Sequence, residues 1–167
     1  MLAIIWHSRT GAARAMAAAA AEGAAQGGAA FALLSADVAT PDDCVAAQGF
    51  LFVCPENLGS MSGEMKAFFD RCYYPLLGRI EGRPYATAIA AGTAGQGTQG
   101  QIDRIVTGWR LRRVAPPCIV LTGADRPDRS WRPSLCRILL CKNVAIWDSC
   151  YQLAWKWAPF SSSARRC

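Results

Sequence analysis

At 167 residues the chain is long enough for one domain with a sizeable core. Its apolar fraction is 52%, but alanine supplies much of it, and no uninterrupted apolar run reaches the ~18–20 residues of a membrane span. The formal charge is +6, yet residues 1–127 hold 11 Lys+Arg against 10 Asp+Glu and residues 128–167 hold 7 against 2, so no basic stripe marks the body for nucleic acid.

Leu2 to Trp6 reads as a first strand. A tight polar turn containing Thr10-Gly11 leads into a helix from Ala12 to about Gly27, with Ala13, Met16, Ala17 and Ala20 on one face. Gly27-Gly28 ends it. Phe31 to Leu34 is a short second strand. Thr40-Pro41-Asp42-Asp43 starts a short helix: a cap, a proline at the first position, then acids in the first turn. Phe50 to Cys54 is a continuous apolar strand of the kind found at the centre of a parallel sheet. Pro55 to Gly63 is a loop, Ser62 is placed to cap the next helix, and Met65, Phe68, Phe69 and Cys72 form that helix's apolar face. Tyr85 to Ala91 is a fourth strand, Gly92 to Gly100 a glycine-rich loop, and Ile102, Ile105, Val106 and Trp109 mark a further helix. Pro116 to Leu121 is a fifth strand, followed by Thr122 to Asp125.

This alternation predicts an α/β fold with a parallel sheet and helices on both faces. Such sheets bind ligands at the carboxyl ends of their strands, and the loops after the first, third and fourth strands all lie there. The stretch Trp6 to Arg14 (WHSRTGAAR) is an anion cradle in form. Backbone N–H groups converge at the helix N-terminus, where the dipole adds partial positive charge. Ser8 and Thr10 add hydroxyls, and Arg9 or Arg14 full charge. No CxxC pair occurs among the 8 cysteines, and the single histidine, His7, has no HxxxH partner, so neither a zinc site nor a disulfide framework is expected. His7 reads first as a hydrogen-bonded structural residue. Tyr73, Tyr74 and Trp109 read as packing residues, and Asp70 and Arg71 as helix-surface contacts. No secretory signal stands at the start, and a cytoplasmic location is expected.

The three loops, in this order, resemble those of the flavodoxin-like superfamily, and within it the NAD(P)H-dependent FMN oxidoreductases and multimeric flavodoxin-like quinone reductases. The resemblance covers about residues 2–127 and implies a three-layer, doubly wound sheet of five strands in the order 2-1-3-4-5. Ser8, Arg9, Thr10, Gly11, Ala12 and Ala13 match the loop that wraps the FMN phosphate, with Ala13 standing where the family usually has a hydroxyl residue. Pro55, Glu56, Asn57, Gly59, Ser60, Met61, Ser62 and Gly63, then Lys66, Phe69 and Asp70, match the second loop and its helix. In the family that loop passes the flavin ring near N5, and the helix contributes to subunit contacts, which leaves a homo-oligomer open. Gly92, Thr93, Ala94, Gly95, Gln96 and Gly97 match the loop along the ring's pyrimidine side. The resemblance thus implies an FMN-dependent oxidoreductase that takes hydride from NAD(P)H and reduces a quinone or similar small-molecule acceptor by a ping-pong cycle. No catalytic side chain is demanded, because the flavin carries the chemistry. The alternative is a flavodoxin-like electron carrier without NAD(P)H activity.

After Asp128 the character changes, and Trp131, Trp147, Trp155 and Trp157 crowd into a stretch without helical or strand period. Read from the third base of each codon, Leu140 to Pro159 permits an amphipathic helix of the kind the fold needs last. Trp147-Asp148 dictates glycine there and Trp155-Lys156 glutamate. The expectation is a 1–127 flavodoxin-like FMN-binding domain and a 128–167 tail written in a shifted frame, which leaves an impaired fold as a third reading. A genuine membrane-surface or partner segment is the competing account of the tail.

Overall fold

The computed structural model describes residues 1–122. β1 (Leu2–Trp6), β2 (Phe31–Ser35), β3 (Gly49–Asn57) and β5 (Pro84–Ala91) form a parallel sheet in the order β2-β1-β3-β5. Two short segments, β6 (Arg112–Arg113) and β7 (Cys118–Leu121), pair in succession along the outer side of β5. The expected fourth strand is therefore β5 and the expected fifth is β7, in the anticipated order, while Arg112 and Arg113, expected at a helix end, form the short strand β6. The register sets Ile5 beside Phe52, and Phe52 beside Thr87.

The strands alternate as a two-sided sheet requires. Ala3, Ile5, Phe50, Phe52 and Cys54 bury against α2 (Pro41–Ala46), α3 (Gly63–Leu76) and α4 (Gln96–Gly108). Leu2, Ile4, Leu51 and Val53 bury against α1 (Ala12–Gln26). The alanines of α1 face Ala86, Ala88 and Ala90 of β5, so small side chains let the helix lie close to the sheet. On the other face the packing is aromatic: the Phe52 ring centre lies 5.2 Å from Phe69 and 6.4 Å from Tyr85. A polar chain pins α4 to β5. Thr87 Oγ1 donates to Gln99 Oε1 at 2.5 Å, and Gln99 Nε2 and Tyr85 OH each donate to Asp103 Oδ1 at 2.7 Å. Burial, then the Asp103 contact, push the Tyr85 hydroxyl well above its usual range.

Three expectations need correction. The segment after Cys54 is not all loop: β3 runs on to Asn57 and turns back through Leu58-Gly59 into β4 (Ser60–Met61). Both turn residues have positive φ, 53° and 73°, the pattern of a two-residue hairpin turn, which normally uses Asn-Gly. Next, α4 begins inside the glycine-rich loop, so Gln96 and Gly97 are helical and only Gly92 to Gly95 precede it. Last, Ser62 stands at the head of α3 but makes no side-chain cap bond. The Thr40 cap on α2 is present as a full capping box with Asp43.

The C-terminal end of α2 is held from outside by Arg83. Its Nη1 donates to the carbonyls of Cys44 at 3.0 Å and Val45 at 2.8 Å, and also to that of Ala47. Arg83→Ala should cost about 1–2 kcal/mol of stability, because those carbonyls lose a charged donor. A urea titration that leaves the midpoint unmoved would show that water replaces the guanidinium freely.

No described helix is long and apolar enough to cross a membrane. Among the described residues, no group of three His, Cys, Asp or Glu is placed to hold a metal ion. Residues 123–167, and with them the shifted-frame reading of the tail, lie outside the described residues.

Candidate functional site

The chain crosses to one side from β1 to β2 and to the other from β3 onward, so a crevice opens at the carboxyl ends of β1 and β3. The loops after β1 and β3 flank it, with the loop after β5 alongside. Ser8 to Ala13 form the first of these. Gly11 is the N-cap of α1 at φ 100°, a conformation glycine takes at little cost. Its N–H donates to Ser8 Oγ at 3.1 Å, which leaves the Ser8 hydroxyl proton free. Arg9 and Thr10 are exposed, while Ala13 is buried under α1 against the sheet. The methyl group of Ala13 therefore faces the core.

Helix ends decide where an anion can go. α2 carries its capping box, and Glu64 sits in the first turn of α3. Glu56 covers the head of α4: its Oε1 accepts from Gly95 N at 2.7 Å and its Oε2 from Thr98 N at 2.9 Å. Like α4, α1 has neither an acid in its first turn nor a cap from its own N-cap residue, but among the described helices it is the one with no carboxylate bonded at its head. Its N-terminal N–H groups remain for an external anion.

A second cluster ties the first loop to α3. His7 Nδ1 and Ser62 Oγ share a hydrogen bond of 2.9 Å, which is why Ser62 does not cap its own helix. His7 Nε2 lies 3.4 Å from Glu64 Oε2, and Arg9 Nη2 3.5 Å from Glu64 Oε1. The backbone N–H of Glu64 holds its carboxyl below the ordinary value; partial burial opposes this, and His7 and Arg9 add to it. Arg9 is two-thirds exposed, 67%, and so is free to turn to an incoming anion.

The second loop is the β3–β4 hairpin. Pro55 and Met61 are buried, and Glu56, Asn57 and Ser60 half-buried, with Leu58 and Gly59 at the exposed tip. Ser60 Oγ donates to Gln101 Oε1 at 3.0 Å, and Met61 N to the same atom at 3.1 Å. Gly92, Thr93 and Ala94 of the third loop are exposed; Gly95 is buried with φ 88°. A Cβ on Gly95 would stand 2.5 Å from Ile119 Cγ2. Below the crevice, burial raises the Cys54 thiol to about 12, so no reactive thiolate lies there at neutral pH.

Comparison with known proteins agrees with this geometry. Residues 41–125, just over half of the chain, match the family described as NADPH-dependent FMN reductase. The chain belongs to this family. It is also 34% identical over 105 residues to a flavodoxin of Aquifex aeolicus (strain VF5), a match that spans 62% of this chain and 57% of that flavodoxin. Two solved structures share the fold. An archaeal flavodoxin superposes with a TM-score of 0.74 at 18% identity, over 87% of this chain and 99% of its own. The rubredoxin oxygen:oxidoreductase of Desulfovibrio gigas superposes with 0.71 at 14% identity, over 95% of this chain and 37% of its own. The family and the fold are thus those of the flavodoxin-like, FMN-binding superfamily.

Sequence reasoning grouped Glu56 and Ser60 with the cofactor loops but missed what they hold, and it missed Gln101 altogether. No local signal announces these contacts: α4 has no acid of its own at its head, and the carboxylate that covers it comes from Glu56, 39 and 42 residues before the amides it accepts from.

Proposed function

We propose that this protein binds FMN in the β1–β3 crevice and passes electrons from NAD(P)H to a quinone or similar small acceptor in a ping-pong cycle. The observation that carries the reading is the uncapped, acid-free head of α1 at the loop matched to the phosphate site. The residues present fit the cofactor's phosphate end. The N–H groups of Ala12, Ala13 and Arg14 would bind the phosphate, with the hydroxyls of Ser8 and Thr10 and the Arg9 guanidinium as further donors. FMN, when bound, supplies the hydride and electron chemistry. The hairpin from Asn57 to Met61 and the backbone of Gly92 to Ala94 would border the ring, and the second loop would exclude water from that side. Gln96 and Gly97, in the first turn of α4, set the direction of that border. Residues 1–127 are taken as the FMN-binding domain, cytoplasmic, with self-association left to the exposed surface of α3.

The likeness to the Aquifex flavodoxin favours a second reading, an electron carrier that docks on a redox partner. The near-neutral body, 11 basic against 10 acidic residues over 1–127, counts against it, because a strong charge field usually steers such docking. Steady NAD(P)H oxidation driven by a quinone supports the reductase; its absence, with partner-dependent electron transfer, supports the carrier. Thr10→Val tests the phosphate assignment. It should weaken FMN about tenfold, the scale of one lost hydrogen bond to a charged group, and leave riboflavin unchanged. Equal weakening of both flavins removes Thr10 from the phosphate site.

A further inference from the structure

The second and third loops hold each other. Glu56, on the hairpin, spends both carboxylate oxygens on the head of α4, at Gly95 N and Thr98 N. Gln101, on α4, returns two bonds to the hairpin, at Ser60 Oγ and Met61 N. Between these pairs the backbones touch: a Cβ on Gly97 would lie 2.2 Å from the Gly59 carbonyl oxygen. At the tip, Leu58 stays in the left-handed region at φ 53° with its side chain fully exposed. No packing of that side chain holds it there. A bulky residue keeps such a conformation only when its surroundings over-determine it, and the surroundings here are the Glu56 and Gln101 bonds.

We propose that Glu56 and Gln101 are positioning residues that fuse the two loops into one rigid rim, so that the ring end of the flavin site is built before the flavin arrives. The proposal rests on the FMN reading above and deepens it. A preformed rim lowers the ordering cost of binding. It also predicts where the effect falls. None of the residues from Ser8 to Ala13 takes part in these bonds, so loosening the rim acts on the ring and not on the phosphate.

The test titrates the full chain with FMN and, separately, with riboflavin, followed by flavin fluorescence and visible absorption. Glu56→Gln keeps the shape but turns one acceptor into a donor. Gln101→Leu removes both hairpin bonds, and Gln101→Glu keeps the accepting oxygen. Circular dichroism first establishes that each variant is folded. Glu56→Gln and Gln101→Leu should weaken FMN and riboflavin by the same factor, about tenfold, and blur the absorption fine structure of the bound flavin. Hydrogen exchange at the Gly95 and Thr98 amides should quicken in Glu56→Gln. Gln101→Glu should stay within about twofold of wild type, since both bonds to its oxygen survive. If wild type binds both flavins and the two disruptive variants bind them equally well, or lose FMN alone, the rim proposal is overturned and the FMN reading stands. Wild type that binds neither flavin overturns the FMN reading and the proposal with it.

Discussion

Trp109→Ala is expected to cost about 3–5 kcal/mol of stability, the range of a large aromatic ring deleted from a core. Trp109 caps the end of α4 and is 1% exposed. Its ring centre lies 5.5 Å from Phe69, 6.5 Å from Phe68 and 6.1 Å from Tyr73, all on α3. The indole Nε1 also donates to the Tyr73 carbonyl at 2.9 Å. Alanine would leave a ring-sized void between two helices and remove the donor from that carbonyl. The void cannot close easily, because α4 is pinned to β5 at its middle by Gln99 and Asp103. Trp109→Phe separates the parts: it keeps much of the volume and loses the N–H, and should cost about 1–2 kcal/mol. Urea unfolding followed by far-ultraviolet circular dichroism measures both. A loss under ~1 kcal/mol for the alanine variant, the scale of an ordinary surface change, would mean that the α3–α4 interface is not tightly packed.

The sheet was legible because burial writes itself into the sequence as alternation. Leu2/Ile4 against Ala3/Ile5, and Leu51/Val53 against Phe50/Phe52, each divide between the two faces. α3 was legible for the same reason at helical period, with Met65, Phe68, Phe69 and Cys72 all buried. The errors fall where tertiary contacts override local preference. Glycine density made Gly92 to Gly100 read as loop, yet a helix starts at Gln96 because Glu56, distant in sequence, supplies its cap. Leucine is not a turn former, so Leu58-Gly59 carried no hairpin signal; the bonds from Ser60 and Met61 to Gln101 hold the turn. Ser62 had the right position for a cap, but His7 offered its hydroxyl a partner that no local pattern announces. The cradle at Ser8 to Ala13 could be read in outline. That it is the one described helix head with no carboxylate bonded to it could not, since this depends on where Glu56 ends up.

Two glycines of α4 give opposite expectations for the same substitution. Alanine in place of a helical glycine gains about 0.5–1 kcal/mol from backbone entropy alone. Gly100→Ala should show this gain, because nothing lies within 4 Å of its added Cβ. Gly97→Ala should lose about 1–3 kcal/mol, the usual cost of overpacking. Its Cβ would stand 2.2 Å from Gly59 O, 3.0 Å from Gly59 C and 3.2 Å from Glu56 Oε2. Two of those three atoms are backbone, so no rotamer change relieves the clash. The hairpin must lift, and lifting strains the Glu56 and Gln101 bonds together. Thermal unfolding gives the signs, and flavin titration gives the consequence: Gly97→Ala should weaken FMN and riboflavin equally, and Gly100→Ala neither. The pair Gly97→Ala with Glu56→Gln sharpens the case, since a hairpin already released can yield to the new methyl group. The combined loss should then fall short of the summed single losses by about 1 kcal/mol, the coupling expected of residues in contact. If Gly97→Ala stabilises as Gly100→Ala does, the hairpin is soft, and the rim cannot be what fixes the ring.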